Sequence, residues 1–442
     1  MQRKVDIIGG GLAGCDAAWQ LAQRGIDVRL HEMKPHKKTP AHNSDQLAEL
    51  VCSNSLRSDR ISNAVGLLKE EMRRMGSLVI EAADATQVPA GGALAVDREL
   101  FSGYVTDKIS GNGKIELIEG EVTDLGAFTP DGTVIVASGP LTSDALAQSI
   151  QAVTGEEYLH FFDAAAPIIS AESVDMGQAF WASRYDRGSD YLNCPMDEQQ
   201  YKVFYDALVG AQCAVLKEFD MDGAQVFEGC MPVETMAQRG YETLLFGPLK
   251  PKGLTDPQDG KRPFAVVQLR KEDAAGSMFN LVGFQTHLKF PEQKRVFSLI
   301  PALRNAEFLR YGVMHRNTYL QSPKLLDTRY RLKKRPNIRF CGQITGVEGY
   351  VESAASGLMC GVYTAAELME EDIDVLDRYT ALGALGEHVA ASVSKDFQPM
   401  NINFGIIEPL GQRVRGKEQK NTMIAERALE KINTYAEKHG IN

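Results

Sequence analysis

Cysteine is scarce in this chain: seven residues among 442, an odd number spread singly. That excludes a disulfide framework and points to a reducing cytosol, so a cytoplasmic location is expected. No C-x-x-C spacing occurs and the eight histidines do not cluster with the cysteines, so no metal site is expected. No uninterrupted apolar run reaches the roughly 20 residues of a membrane span. The apolar stretch behind Met1, Gln2, Arg3 and Lys4 is too short for a secretory signal. What is present is ordinary for globular proteins: 44% hydrophobic and 24% charged residues, with 40 glycines and 18 prolines, values that exclude wholesale disorder, collagen-like and coiled-coil chains. The length suits two or three domains.

The net charge of −10 argues at face value against nucleic acid. Its distribution argues otherwise. Residues 281–340 hold 13 Lys and Arg against 3 Asp and Glu, +10 locally, which leaves −20 for the remainder. Such asymmetry reads either as a basic surface confined to one part of the fold or as a solvated face with no partner.

The first thirty residues read as one βαβ unit. Val5 to Ile8 is a short apolar strand. Gly9, Gly10, Gly11, Leu12, Ala13 and Gly14 follow at once, a helix runs through Cys15 to Arg24, Gly25 stops it, and Ile26 to Leu30 is a second strand. Gly9, Gly11 and Gly14 fit G-x-G-x-x-G. The first permits a tight turn, the second lets the backbone approach a pyrophosphate, and the third lets helix and strand pack closely. Glu32 stands where a carboxylate accepts hydrogen bonds from a ribose hydroxyl. The motif does not separate FAD from NAD. A second cluster, Gly342, Gln343, Gly346 and Gly349, precedes a small-residue helix that starts near Tyr350. A helix N-terminus there would face the flavin pyrimidine, which favours FAD; the bland alternative is a tight crossing that touches no ligand.

Residues Ile115 to Val122 and Thr133 to Val136 read as further strands, and Arg339 to Gly342 as a strand and turn. Residues from about 155 to 330 show no βαβ period. The expected fold is therefore α/β: a Rossmann-like FAD-binding domain, discontinuous in sequence (1–155 and 335–442), with an inserted α+β domain (156–334). The tail, including Ala425 to Ala436, reads as an amphipathic helix.

Among the cysteines, Cys15, Cys213, Cys341 and Cys360 sit among apolar or small residues and read as core, and Cys194 precedes Pro195 in a turn. Cys52, with Arg57 nearby, and Cys230 lie among small, polar and turn-forming neighbours. Each is either an exposed thiol in a cleft or another core residue. A nucleophilic role needs thiolate, only a few per cent of an ordinary thiol at neutral pH.

Several blocks resemble the bacterial folate- and FAD-dependent tRNA (uracil-5-)-methyltransferases: Glu49 to Leu56, Val88 to Arg98, Glu228 to Glu234, Phe246 to Leu254, Tyr311 to Thr318 and Gly342 to Tyr350. Ser138, Lys252 and the segment Phe404 to Pro409 depart from the family pattern without touching the cysteines or the glycine loop. The resemblance implies that methylenetetrahydrofolate gives a one-carbon unit to C5 of the T-loop uridine 54 of tRNA. FAD acts as carrier and reductant, NADH or NADPH is the source of electrons, and the product is ribothymidine. It places Cys52 and Cys230 on the family's two functional cysteines, Gly9 to Gly14 on its FAD loop, and Tyr350 beside the flavin. Cys230 is then expected to add to uracil C6, with Cys52 handling the C5 proton or guarding the one-carbon unit. The reverse assignment stands as the alternative.

Under this resemblance the basic stretch becomes an expected tRNA surface, with Lys289, Lys294, Arg295, Arg304, Arg310, Arg316, Lys324, Arg329 and Lys333 neutralising phosphates. His315 and Arg316 are expected closest to the target loop. Phe290, Phe297, Tyr311 and Tyr319 are candidates either for base stacking or for core. Three rival readings remain. One is the related, larger wobble-uridine C5-modifying flavoprotein, whose long C-terminal helical extension is not expected in a chain that ends at 442. Another is a small-molecule FAD oxidoreductase, which would explain the glycines but not the cysteine blocks. The third is a non-catalytic flavin-binding partner of RNA.

Overall fold

The computed structural model describes residues 4–39, 41–128, 132–156, 159–184, 188–214, 231–391 and 397–441. The chain opens with the expected unit: strand β1 (Lys4–Ile8), helix α1 (Leu12–Gln23) and strand β2 (Asp27–Glu32). Helix α1 begins three residues earlier than its composition suggested, directly on Gly11, and Gly25 follows its end with φ +76°. Three further strands, β3 (Ile115–Glu119), β4 (Thr133–Val136) and β5 (Arg335–Phe340), join them. The sheet order is 331–332, β5, β4, β1, β2, β3, with all pairs parallel except the antiparallel edge strand 331–332. The strands of β1 and β4 are buried on both faces, which is why they read as unbroken apolar runs.

Helix α2 (Tyr350–Met369) lies across α1. Its small residues serve that crossing. A methyl at Gly357 would stand 2.1 Å from the Ala13 carbonyl oxygen, and one at Gly361 would stand 2.8 Å from that of Ala17. The small-residue stripe is thus helix–helix packing, and only the helix N-terminus is left for a ligand.

A second, antiparallel sheet has the order 180–181, 192–196, 265–271, 278–281, 168–170, 308–310. It holds its own apolar core, built around Leu192, Phe204, Val267 and Phe284. A two-stranded ribbon of 159–164 with 314–319 leads into and out of this region. Its return strand is tied to the parallel sheet by Thr318 N–H donating to Pro140 O (2.9 Å) and Leu320 N–H donating to Ile344 O (2.8 Å). The fold is α/β with a Rossmann-like sheet. Among the described residues no helix is long and apolar enough to cross a membrane.

Two buried carboxylates cap helices from a distance. Asp16 accepts from Leu78 N–H (2.8 Å) and Ser77 Oγ–H (2.7 Å), and burial pushes it up to about 7. Glu71 accepts from Ala381 N–H and Leu382 N–H, both at 2.8 Å, and burial pushes it up to about 8. Cys15, Cys194, Cys341 and Cys360 are buried. Cys213 is half-buried instead, and a correction follows from its neighbours. Cys213, Glu234 and His287 bring their ligand atoms within 4.8 Å of one another, so a histidine does stand beside a cysteine. Chain distance hid the cluster: 74 residues separate Cys213 from His287 in the sequence. Both Glu234 oxygens are already engaged, Oε1 by His287 N–H (2.9 Å) and Oε2 by the Thr286 hydroxyl (2.8 Å), so this carboxylate ties two loops together.

Candidate active site

The loop ends above the C-terminal edge of the parallel sheet border a cleft that opens to solvent. This is the edge at which open parallel sheets bind ligands. Gly9 to Ala13, Glu32, Ala137 to Ser143, Gly342, Gln343 and Tyr350 line it.

Each fingerprint glycine has a separate steric reason. Gly9 has φ +106°, and a methyl there would stand 2.5 Å from the Ala137 carbonyl oxygen. A methyl at Gly14 would stand 1.9 Å from the Gly9 oxygen, so Gly14 allows helix and strand to touch. Gly11 has nothing within 4 Å of its absent methyl and ordinary extended angles (φ −78°, ψ −172°). No protein contact requires a glycine there; what its hydrogen leaves open is space in front of the α1 N-terminus, which carries no side-chain cap. Unfilled amides at a helix start suit an anion. Glu32, at the end of β2, takes Gly10 N–H on Oε2 (2.8 Å) and Lys34 N–H on Oε1 (3.0 Å). It thereby fixes the loop and presents a carboxylate at the cleft. These features fit a dinucleotide such as FAD.

At the other end, Gly342, Gln343, Tyr350 and Ser353 border the cleft. Gly346 and Gly349 do not. Their φ values of +83° and +111° shape the turn into α2, with Gly346 against the Phe397 ring and Gly349 against Arg57 and Glu352.

Tyr350 joins the cleft to the first cysteine block. Its hydroxyl accepts Cys52 N–H (2.6 Å) and Ser53 N–H (3.2 Å). Burial first, then the neighbouring Cys52, push the phenol far above its ordinary value, so it stays neutral. Val51 lines the cleft as well. Cys52 is half-buried, its thiol 3.8 Å from Ala164 O at the foot of the ribbon. Cys230 lies outside the described residues.

Sequence reasoning missed Arg98 and Arg270 beside this segment, and expected Arg310 on the tRNA surface instead. Arg98 donates to the carbonyls of Leu50 and Cys52 (3.4 Å to the latter) and pairs through Nε with Glu272 (2.5 Å). Arg310 donates to Val51 O (2.6 Å). Arg270 donates to Ser53 Oγ and Asn54 Oδ1, both at 2.9 Å. Burial works against the charges of Arg270 and Arg310 and pulls both below the usual range; at Arg98 burial is also the largest influence, but Glu272, Tyr350 and Cys52 together overcome it and raise the guanidinium. The only hint in the sequence was that Arg98 closes the Val88 to Arg98 block.

The basic stretch divides. Lys289, Lys294, Arg304, Lys324 and Lys333 are exposed. Arg295 is exposed but paired with Glu292 (2.6 Å). Arg310 is half-buried and bonded to the carbonyl of Val51, Arg329 packs over the Tyr363 ring, and Arg339 is 1% exposed. The +10 is therefore part surface and part interior. The side chains of His315 and Arg316 lie outside the described residues. Phe297 and Tyr319 are core, while Phe290 is half-exposed and stacks on Tyr311 (4.7 Å between centroids).

Comparison with known proteins agrees with the fold. The family described as glucose inhibited division protein A matches residues 4–372. A protein of Acetivibrio thermocellus named methylenetetrahydrofolate--tRNA-(uracil-5-)-methyltransferase TrmFO is 58% identical over 436 residues, covering 98% of this chain and 99% of that one. A protein of the same name from Listeria monocytogenes is 55% identical over 438 residues, covering 99% and 100%. The solved structure of Aquifex aeolicus GidA superposes with TM-score 0.72 at 14% identity, over all of this chain and 74% of that one, and so speaks for the fold alone.

Proposed function

The chain belongs to the glucose inhibited division protein A family and, at 54–58% identity along nearly its whole length, to the methylenetetrahydrofolate--tRNA-(uracil-5-)-methyltransferases within it; from that membership and the cleft geometry we propose that it methylates C5 of the T-loop uridine 54 of tRNA. In the overall reaction methylenetetrahydrofolate gives up its CH2 and becomes tetrahydrofolate. NADH or NADPH, with a proton, supplies the two electrons that make the carbon a methyl, and the C5–H of uridine becomes C5–CH3. Bound FAD supplies the carrier and two-electron chemistry between nicotinamide, folate and pyrimidine. A cytoplasmic location goes with this substrate.

The chain's own residues have distinct tasks. The amides from Gly11 into α1 would hold the pyrophosphate, Glu32 the ribose, and Gly342, Gln343 and Tyr350 the ring end. Uracil C5 is a poor nucleophile until something adds at C6. A Cys230 thiolate adding there would turn C4=O into an enolate and direct its electrons to C5. Once the carbon is attached, the C5 proton must leave, and Cys52 would take it. As it leaves, the C5–H electrons form C5=C6 and the Cys230–C6 bond breaks, returning the thiolate.

The observation that carries this reading is the Tyr350 hydroxyl. Tyr350 lines the dinucleotide cleft and its hydroxyl holds the Cys52 backbone, so the segment that carries this thiol is anchored to the cleft wall. The test is incubation with unmodified tRNA, isotopically labelled methylenetetrahydrofolate and reduced nicotinamide, followed by nucleoside analysis. Label in 5-methyluridine is expected. Label at the wobble position, or tetrahydrofolate formed without tRNA, would favour the rival readings. Cys230→Ala is expected to abolish a covalent complex with 5-fluorouridine-containing tRNA; persistence there and loss in Cys52→Ala would reverse the two roles.

A further inference from the structure

The segment 50–54 is surrounded by more positive charge than its backbone contacts require. Arg98, Arg270 and Arg310 come from a helix and two strands far apart in sequence, and all three donate to residues 50–54. Their acceptors there are carbonyls, a hydroxyl and an amide, which cancel no charge. Among the described residues Glu272 is the one carboxylate bonded to the trio, through Arg98. Arg270 is 6% exposed and Arg310 is half-buried. Cations held out of water without an anion are unfavourable, so the arrangement calls for a further negative charge nearby. Cys52 is the middle residue of this segment: Arg98 bonds its carbonyl (3.4 Å), while Arg310 bonds Val51 (2.6 Å) and Arg270 bonds Ser53 (2.9 Å) on either side, and its sulfur interacts electrostatically with all three guanidiniums.

The other groups facing this point do not reverse the balance. Tyr350 stays neutral, and burial followed by Lys34 keeps His42 from charging. Glu49 accepts the amides of Asn43 (2.9 Å) and Ser44 (3.2 Å) and supports the charge of Arg310, but Lys34, 3.9 Å away, offsets its negative charge. The carbonyl of Ala164, 3.8 Å from the sulfur, favours the thiol form.

We propose that Arg98, Arg270 and Arg310 form a cationic collar that holds Cys52 as a thiolate at neutral pH. They are positioning residues, acting through Cys52. The purpose of the collar rests on the methyltransferase reading, but its existence does not, because the thiol can be read directly. A low-pKa thiolate is ready to accept a proton or to react with an electrophile, which an ordinary thiol at neutral pH mostly is not.

The experiment is peptide-resolved mass spectrometry of iodoacetamide alkylation of the full-length flavoprotein between pH 5 and 9.5. Cys213, half-buried and pushed upward by burial and Glu234, is the internal control. Cys52 is expected to titrate near or below pH 7, against roughly 8.5 for an ordinary thiol. Arg310→Gln is expected to raise that midpoint by about one unit, a roughly tenfold loss of reactivity at the old midpoint, and Arg310→Lys to restore most of it. Thermal melting of each variant separates misfolding from a shifted titration. A wild-type midpoint at the ordinary value, or one unmoved by both Arg310→Gln and Arg270→Gln in folded protein, overturns the proposal. So does protection of an ordinary Cys52 by inorganic phosphate, which would assign the collar to a ligand anion. Absence of methyl transfer with a depressed Cys52 midpoint would sink the functional reading and leave the collar standing.

Discussion

Alanine at Gly11 separates the cofactor's requirement from the fold's. The absent methyl has no neighbour within 4 Å and the backbone angles are ordinary for any residue. Gly11→Ala is therefore expected to leave the empty protein's stability within about 1 kcal/mol of wild type, the scale of an N-cap change. The methyl would occupy the space through which a pyrophosphate reaches the first amides of α1. Losing two charge-assisted hydrogen bonds at about 1.5 kcal/mol each removes about 3 kcal/mol of binding, a roughly hundredfold weaker Kd. Gly14→Ala is the contrasting case, since its methyl would stand 1.9 Å from the Gly9 oxygen and must push helix from strand. It is expected to cost about 3 kcal/mol of stability. FAD affinity by quenching of flavin fluorescence, together with melting of the flavin-free protein, reads both. A Gly11→Ala protein that binds FAD as tightly as wild type would refute the assignment of that space to the cofactor.

Tyr350→Phe removes the acceptor of two amides at the cleft wall and is expected to cost about 1–3 kcal/mol, with methyl transfer falling in parallel; unchanged melting and activity would show that the hydroxyl does not hold the Cys52 segment. Replacing the exposed Lys289, Lys294 and Arg304 together with Gln is expected to reduce the slope of log affinity for tRNA against log salt by about 2, and an unchanged slope places the phosphates elsewhere. Glu71 has its folded pKa raised to about 8 by burial, so its contribution is present at low pH and is lost as pH rises from roughly 4.5 to 8. Wild type should therefore lose stability relative to Glu71→Gln across that window in paired denaturant titrations, and a pH-independent difference would contradict it.

The amino-acid sequence by itself determined the βαβ start, the third-glycine contact, the strand at Thr133–Val136 and the helix at its second glycine cluster, because these follow from period, steric need and chain-local order. It also carried the family blocks and their two cysteines. What it left undecided depends on contacts between segments hundreds of residues apart. Gly346 and Gly349 look the same in sequence as Gly342, yet packing against Phe397 and Arg57 keeps them from the cleft. The small residues of α2 served a helix crossing, because only the assembled pair shows how closely the Ala13 and Ala17 backbones approach. Residues 281–340 are uniformly basic as a string, but Arg339 is interior and Arg310 faces Val51, since burial depends on which strand covers which. The convergence of Arg98, Arg270 and Arg310 on residues 50–54 was decided by tertiary structure alone. Electrostatic environment sums over neighbours in space, and those neighbours come from one helix and two strands of the antiparallel sheet.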